Sequence, residues 1–231
     1  MSGQDHHHHA PDAAASWDEF YRSSQRVWSG NPNPQLVAEV TSLAPARALD
    51  VGCGEGADAI WLAGQGWDVV AVDISAVALE RAAQHVRAAH QWLLGSIEWR
   101  QADLITEPPE PASFDLVSSQ FMQLPPDPRF RLFAALIEAV RPGGTLLVVG
   151  HHPSDMGRGV RRPPSPELFY TADAVADLLD GSWTVVANEA RPRTTTTPEG
   201  GRDHHPRRRA AGDPATVTPA RCVSAASCAT R

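Results

Sequence analysis

Three glycines occupy alternate positions in the run Asp50-Val51-Gly52-Cys53-Gly54-Glu55-Gly56. Glycine permits positive φ and lets a ligand approach the backbone closely. A helix that starts after such a loop adds unpaired N–H groups and the positive end of its dipole. A phosphate binder would use the same physics. The spacing, however, is GxGxG and not the GxGxxG of the dinucleotide fingerprint, and Asp50 would repel a pyrophosphate while attracting an ammonium group. Asp73 lies 23 positions beyond Asp50, at the end of a second apolar run, where a carboxylate can accept from both hydroxyls of a ribose. Ala102-Asp103-Leu104 follows a third such run. There Asp103 can accept from an adenine amino group while its neighbours pack on the ring, or it can cap its own loop.

Other chemistry-bearing residues have two readings each. His151 and His152 follow a fifth apolar run, on the ligand-facing edge of sheets of this kind. They are candidate bases or substrate contacts, or plain loop histidines. Trp17, Tyr21 and Trp28 either border a ligand or pack an N-terminal helix on the sheet. The run Asp5-His6-His7-His8-His9 is a tail, a fragment of a purification tag, or a metal-binding tract. No metal site is expected elsewhere, and Cys53 suits a small space-filler.

The elements that must position these residues alternate. Ala46 to Val51, Val69 to Val72, Ile97 to Gln101, Phe114 to Ser118, Thr145 to Val149 and Trp183 to Ala187 read as strands. Helices fall between them. One opens at Ala57, one is capped by Ser75, one has Asp127 as cap with Pro128 at its first position, and Thr171 to Leu179 is another. Ser16, with Glu19 three residues later, is placed to cap a short N-terminal helix. Strand–helix alternation predicts an α/β fold: a doubly wound, mostly parallel sheet in three α/β/α layers. The expected organisation is a disordered His-rich tail over 1–15, lid helices over 16–45, a binding domain over 46–190, and a disordered basic tail over 191–231.

Residues from about Trp17 to Val149 resemble the class I methyltransferases that use S-adenosylmethionine. The likeness rests on the glycine loop, Asp73, Asp103, Ser118-Ser119-Gln120 and Arg141-Pro142-Gly143-Gly144. It implies that Gly52, Gly54 and Gly56 line the methionine moiety, Asp73 holds the ribose and Asp103 reads the adenine. Asp50, Cys53, Ile74, Ala102, Leu104 and Trp28 join that pocket, and Ser119 and Gln120 border the methyl-donor end. Trp17, Tyr21 and Trp28 belong to a lid like that of small-molecule members. In-line methyl transfer needs alignment and exclusion of water more than any catalytic side chain. The alternatives are a nicotinamide-dependent oxidoreductase, disfavoured by the loop spacing and Asp50, and a non-catalytic binder of S-adenosylmethionine.

Composition narrows the partners. The formal charge is −7, and an acidic chain repels nucleic-acid backbones. No window is apolar enough to span a membrane. There is no secretory signal, and three cysteines make no disulfide framework, so a cytoplasmic setting is expected. The methyl acceptor and the oligomeric state are not legible. Lysine is absent, which marks GC-rich coding. From Arg191 onward eight arginines face three acids. This Arg/Ala/Pro-rich text is either a native basic tail or the product of a shifted reading frame. In the second case the final antiparallel strand of the sheet is missing, residues 204–231 are disordered, and the sixth strand is an unpartnered edge.

Overall fold

A computed structural model describes residues 13–25, 27–88, 93–156, 165–193 and 215–224. Helices α1 (Ala13–Arg22) and α2 (Pro34–Val40) lead into β1 (Arg47–Val51). Then come α3 (Ala57–Gly64), β2 (Asp68–Asp73), α4 (Ala76–Ala88), β3 (Ser96–Gln101) and β4 (Phe114–Gln120). Helix α5 (Pro126–Ala139), β5 (Val140–His151), α6 (Ala172–Ala176), β6 (Trp183–Asn188), β7 (Arg191–Arg193) and β8 (Ala215–Ser224) complete the chain. The strands form one sheet in the order β3-β2-β1-β4-β5-β8-β6, with β7 beside β8. Strands β1 to β5 are mutually parallel, and β8 runs antiparallel to both β5 and β6.

The central strands are buried on both sides, as their near-continuous apolar sequence requires. Leu36 and Val40 of α2 and Ala59, Leu62 and Ala63 of α3 cover one face with Ala48, Leu116, Leu147 and Val149. Leu132, Phe133 and Leu136 of α5 and Val175 of α6 cover the other with Leu49, Val51, Val117 and Val148. The expected three layers are therefore present. Strand order reverses between β1 and its two neighbours β2 and β4. Their carboxyl ends form the crevice in which ligands of open α/β sheets sit.

Local chemistry explains most boundaries. Asn33 caps α2 by accepting from Gln35 N at 2.9 Å, with Pro34 at the first position. Ser75 caps α4 through Ala78 N at 3.1 Å. Three expectations are corrected. Helix α1 already begins at Ala13, so the tail does not extend to residue 15 and Ser16 lies inside the helix. Three consecutive alanines, the strongest helix formers, extend it upstream. Helix α5 begins at Pro126, so Asp127 sits in its first turn and is not its cap. The third correction concerns 191–231, expected as a disordered tail. Arg191–Arg193 and Ala215–Ser224 are strands, the final antiparallel strand exists, and β6 has a partner in it. Thr216, Val217, Thr218 and Val223 are good strand formers, and the segment fills the place where β5 and β6 both need a neighbour. Pro219 falls where β8 changes partner, between Ala220, matched to β6, and Val217, matched to β7. A missing donor is tolerated at such an interruption. The histidine run 6–9 and residues 204–214 lie outside the described residues. Among the described residues no helix is long and apolar enough to cross a membrane.

Gly56 links this frame to the site. It is the N-cap of α3 at φ 83°. A Cβ there would lie 2.7 Å from the Trp99 ring and 2.8 Å from Ala82 Cβ. Left-handed strain and overpacking together make Gly56→Ala destabilising by about 2–4 kcal/mol. Urea denaturation measures it, and an unchanged midpoint would show that the loop relaxes freely.

Candidate functional site

The site grows from the turn between β1 and α3. Gly52, Gly54 and Gly56 take φ of 66°, 53° and 83°, so the alternate glycines of the sequence are the alternate positive-φ positions of the loop. Its amides are tied to β2: Cys53 N donates to Val72 O at 3.0 Å and Gly54 N to Asp73 Oδ2 at 2.8 Å. The other Asp73 oxygen accepts from Ser75 N at 2.8 Å. Burial still pushes the Asp73 carboxyl above its usual range, against these donors.

Two more carboxylates stand behind the loop. Asp50, 1% exposed on β1, leaves its Oδ2 without a hydrogen-bond partner among the described residues. Burial first, and then the charges of Asp58 and Asp73, push its carboxyl well above the ordinary range. Asp58, in the first turn of α3, accepts from Asn33 N at 2.6 Å, and burial pushes it up to about 6. Glu55 is also buried, but it is paired with Arg81 at 3.1 Å. A wall this acidic, with one orphaned oxygen, suits a ligand bearing a positive charge.

The segment before α2 closes over that wall. Asp18 of α1 accepts from Ser75 Oγ at 2.6 Å and Val77 N at 3.2 Å. Although burial opposes it, these bonds and Arg22 hold the Asp18 carboxyl low. Glu55 accepts from Val27 N at 3.2 Å and Trp28 N at 3.1 Å. Trp28 Nε1 donates to the Tyr21 hydroxyl at 3.1 Å. That hydroxyl and the Trp28 indole lie 2.9 Å and 3.3 Å from where a Cβ of residue 54 would be, and Met122 Sδ lies 2.7 Å from that of residue 52. Phe20 packs edge to ring on Trp17 and Tyr21, which are tilted against each other. Asn33 Nδ2 donates to Gln120 Oε1 at 2.8 Å, and Gln120 Nε2 donates to Ser118 Oγ at 2.8 Å.

The expected site residues are distributed as follows. Ile74, Ala102 and Asp103 line one cleft of about 300 Å³ together with Ala13, Ala14, Gln101 and Glu107. Asp103 Oδ1 also accepts from Ile105 N at 3.0 Å, so half of this carboxylate caps its own turn. Leu104 packs on the core cluster of α5, and Cys53 packs on that of α3. Ser119 is fully buried, and its Oγ has no partner among the described residues. The His151 ring is buried and lies 4.8 Å from that of Phe121. His152 points back into its own chain, where its Nδ1 accepts from Ser154 N at 3.2 Å. No group of three metal-ligating side chains gathers among the described residues. Asn33, Glu55 and Asp58 were missed as site residues. Glu55 sat inside the glycine run as a signal, but Asn33 looked like part of a Pro-rich break.

Residues 48–144 match the protein family described as methyltransferase domain. The chain is 32% identical over 215 residues to a glycine N-methyltransferase of Rattus norvegicus, covering 84% of this chain and 71% of that one. With the Oryctolagus cuniculus glycine N-methyltransferase it shares 27% over 190 residues, or 75% of this chain and 63% of the other. The chain thus spans under two thirds of that relative's length. Among solved structures it is similar to a protein studied for the conversion of a disulfide bond into a thioacetal group during echinomycin biosynthesis. The TM-score is 0.68 at 23% identity, with 94% of each chain covered.

The buried acids predict an unusual pH dependence. Asp58 titrates at about 6 when folded, against an ordinary 3.8, so the folded state holds the extra proton between these values. Stability therefore falls as pH rises from 4 to 6, by up to about 1.4 kcal/mol per pH unit for one proton, and Asp50 extends the trend upward. Asp58→Asn should flatten that part of the slope. Melting temperature against pH tests it, and an identical profile for the two proteins would refute the assignment.

Proposed function

The chain belongs to the class I methyltransferases that use S-adenosylmethionine, and on that premise we propose that it methylates a small, largely apolar acceptor enclosed beneath residues 13–33. The observation that carries this reading is the docking of that segment on the loop. Two buried carboxylates, Glu55 and Asp58, accept its backbone N–H groups, and Tyr21 and Trp28 press on Gly54. An aromatic cover held this way would shield a small acceptor from water better than it would admit a polymer. The acidic chain disfavours nucleic acid for the same site. The setting consistent with this chemistry is cytoplasmic, where Cys53 stays a free thiol.

In this reading Gly52, Gly54 and Gly56 give backbone access for the methionine moiety and Asp50 offers its unpartnered oxygen to the ammonium. Asp73 receives the ribose hydroxyls on lone pairs not used by Gly54 and Ser75. Ile74, Ala102 and Asp103 line the adenine cleft. Bound S-adenosylmethionine would supply a methyl group on a cationic sulfur, the acceptor's lone pair forming the new bond as the carbon–sulfur pair returned to sulfur. The chain's part is to align and to keep the compartment dry. Gln120 is fixed from both sides for this, by Ser118 and Asn33. An acceptor that arrives protonated must lose its proton, and His151 is the buried imidazole at this edge. Glycine, for which the relatives are named, is one acceptor to try, although the aromatic cover favours a less polar one.

The test is calorimetric titration of the intact protein with S-adenosylmethionine and, separately, with NAD. Asp73→Ala should weaken S-adenosylmethionine binding roughly ten- to a hundred-fold, the value of a charged hydrogen bond of ~1.5–3 kcal/mol. Equal affinity in the two proteins would remove Asp73 from the ribose site.

A further inference from the structure

The acceptor side of the crevice has a polar cluster of the opposite character to the acidic wall. Arg129, at the end of the first turn of α5, is only 7% exposed. It forms no ion pair with any described carboxylate. One of its nitrogens, Nη1, donates to Leu124 O at 2.9 Å and to Glu167 O at 2.8 Å. Its Nη2 and Nε make no hydrogen bond to the described residues. Burial lowers its pKa, and the Tyr170 phenol and Glu167 only partly offset that. The guanidinium lies 5.1 Å from the centre of the Tyr170 ring.

Tyr170 lies against Gly150, so closely that a Cβ on Gly150 would meet its ring and hydroxyl. The hydroxyl is buried and has no partner among the described residues. Ser119, whose hydroxyl is the other orphan on this side, is matched to Val148 in the β4–β5 register, and Gly150 is the next residue of β5 on that same face. Arg129 and Tyr170 therefore meet at the carboxyl edge of β5, and Ser119 lies on the same α5-covered face of the neighbouring strand.

Every unsatisfied group in this cluster can donate. Burial holds the Tyr170 phenol in its protonated, donating form. A buried donor left without an acceptor is costly, and a largely buried cation without a counter-charge gains from an anionic partner. A mere strut between Leu124 and Glu167 would need only a neutral amide. Water can satisfy the hydroxyls but cannot balance the charge. What fits is an acceptor-only group with one negative charge and two oxygens, the shape that a guanidinium fork matches. We propose that Arg129, with the hydroxyls of Tyr170 and Ser119, forms a subsite for a carboxylate carried by the methyl acceptor. The inference rests on the methyl-transfer reading above and narrows its acceptor to small carboxylic acids.

The experiment uses the full chain saturated with S-adenosylhomocysteine. Benzoate and acetate are the probes, and benzamide and acetamide their uncharged counterparts. The Nε–H resonance of Arg129, identified by its loss in Arg129→Lys, should shift saturably with the carboxylates and not with the amides. Calorimetric affinity for benzoate should fall roughly ten- to a hundred-fold in Arg129→Gln. In Tyr170→Phe and Ser119→Ala it should fall several-fold while the melting temperature holds or rises, because each change removes an orphaned hydroxyl. These two variants decide the matter if Arg129→Gln does not fold. Equal binding of acid and amide, no binding of either, or unchanged benzoate affinity in the hydroxyl variants overturns the proposal. Failure to bind S-adenosylmethionine overturns the methyl-transfer reading instead, and that titration is run without any probe.

Discussion

The buried carboxylate of Asp73 fixes the geometry at this sheet edge. One oxygen takes the amide of Gly54 and so holds the turn after β1. The other takes the amide of Ser75 and so starts α4. Ser75 passes the constraint on, because its hydroxyl caps Ala78 N and donates to Asp18 of α1. Strand β2, the glycine loop, α4 and the N-terminal cover are thus joined through three polar side chains. Breaking such a chain in its middle leaves buried groups unsatisfied at both ends, so its members act as a unit.

That arrangement has an electrostatic cost. Asp50, Glu55, Asp58 and Asp73 crowd around one turn, and Arg81 on Glu55 is the only cation in an ion pair with any of them among the described residues. Backbone N–H groups and the first turn of α3 supply the rest of the compensation. They do not suffice, and burial raises Asp50, Asp58 and Asp73 together. The edge is therefore poised to gain from a cationic ligand, which would relieve the mutual repulsion as well as add its own contacts.

The fold was legible where one residue type has one physical use. Alternate glycines after a buried strand meant positive φ, and Ser75 meant a cap. Asp73 at a strand end meant a carboxylate at the crevice. It was illegible where several residue types serve equally. The cover docks through the amides of Val27, Trp28 and Asn33, and backbone donors leave no mark on a sequence. Asn33-Pro34 looked like an interruption, although Asn33 both caps α2 and bridges to Gln120. The final strand escaped notice because its pattern is interrupted by Pro219 and preceded by a run of arginines. Only the pairing demand of β5 and β6 identifies it. Arg129 was hidden in the same way: in sequence it is one charge on an amphipathic helix, and only burial gives it meaning.

The two sides of the crevice are therefore complementary in sign. The β1–β2 side presents carboxylates behind the glycine turn, and the β4–β5 side presents a guanidinium and two hydroxyl donors. Gln120, at the end of β4, is locked in orientation by Asn33 and Ser118. A donor with its cationic end on the acidic wall and an acceptor with its anionic end under α5 would each be bound by the part of the molecule that does not react. The reacting atoms would then meet between the two anchors. Binding energy from those remote ends would go into alignment, which is what a displacement at an already activated carbon most needs.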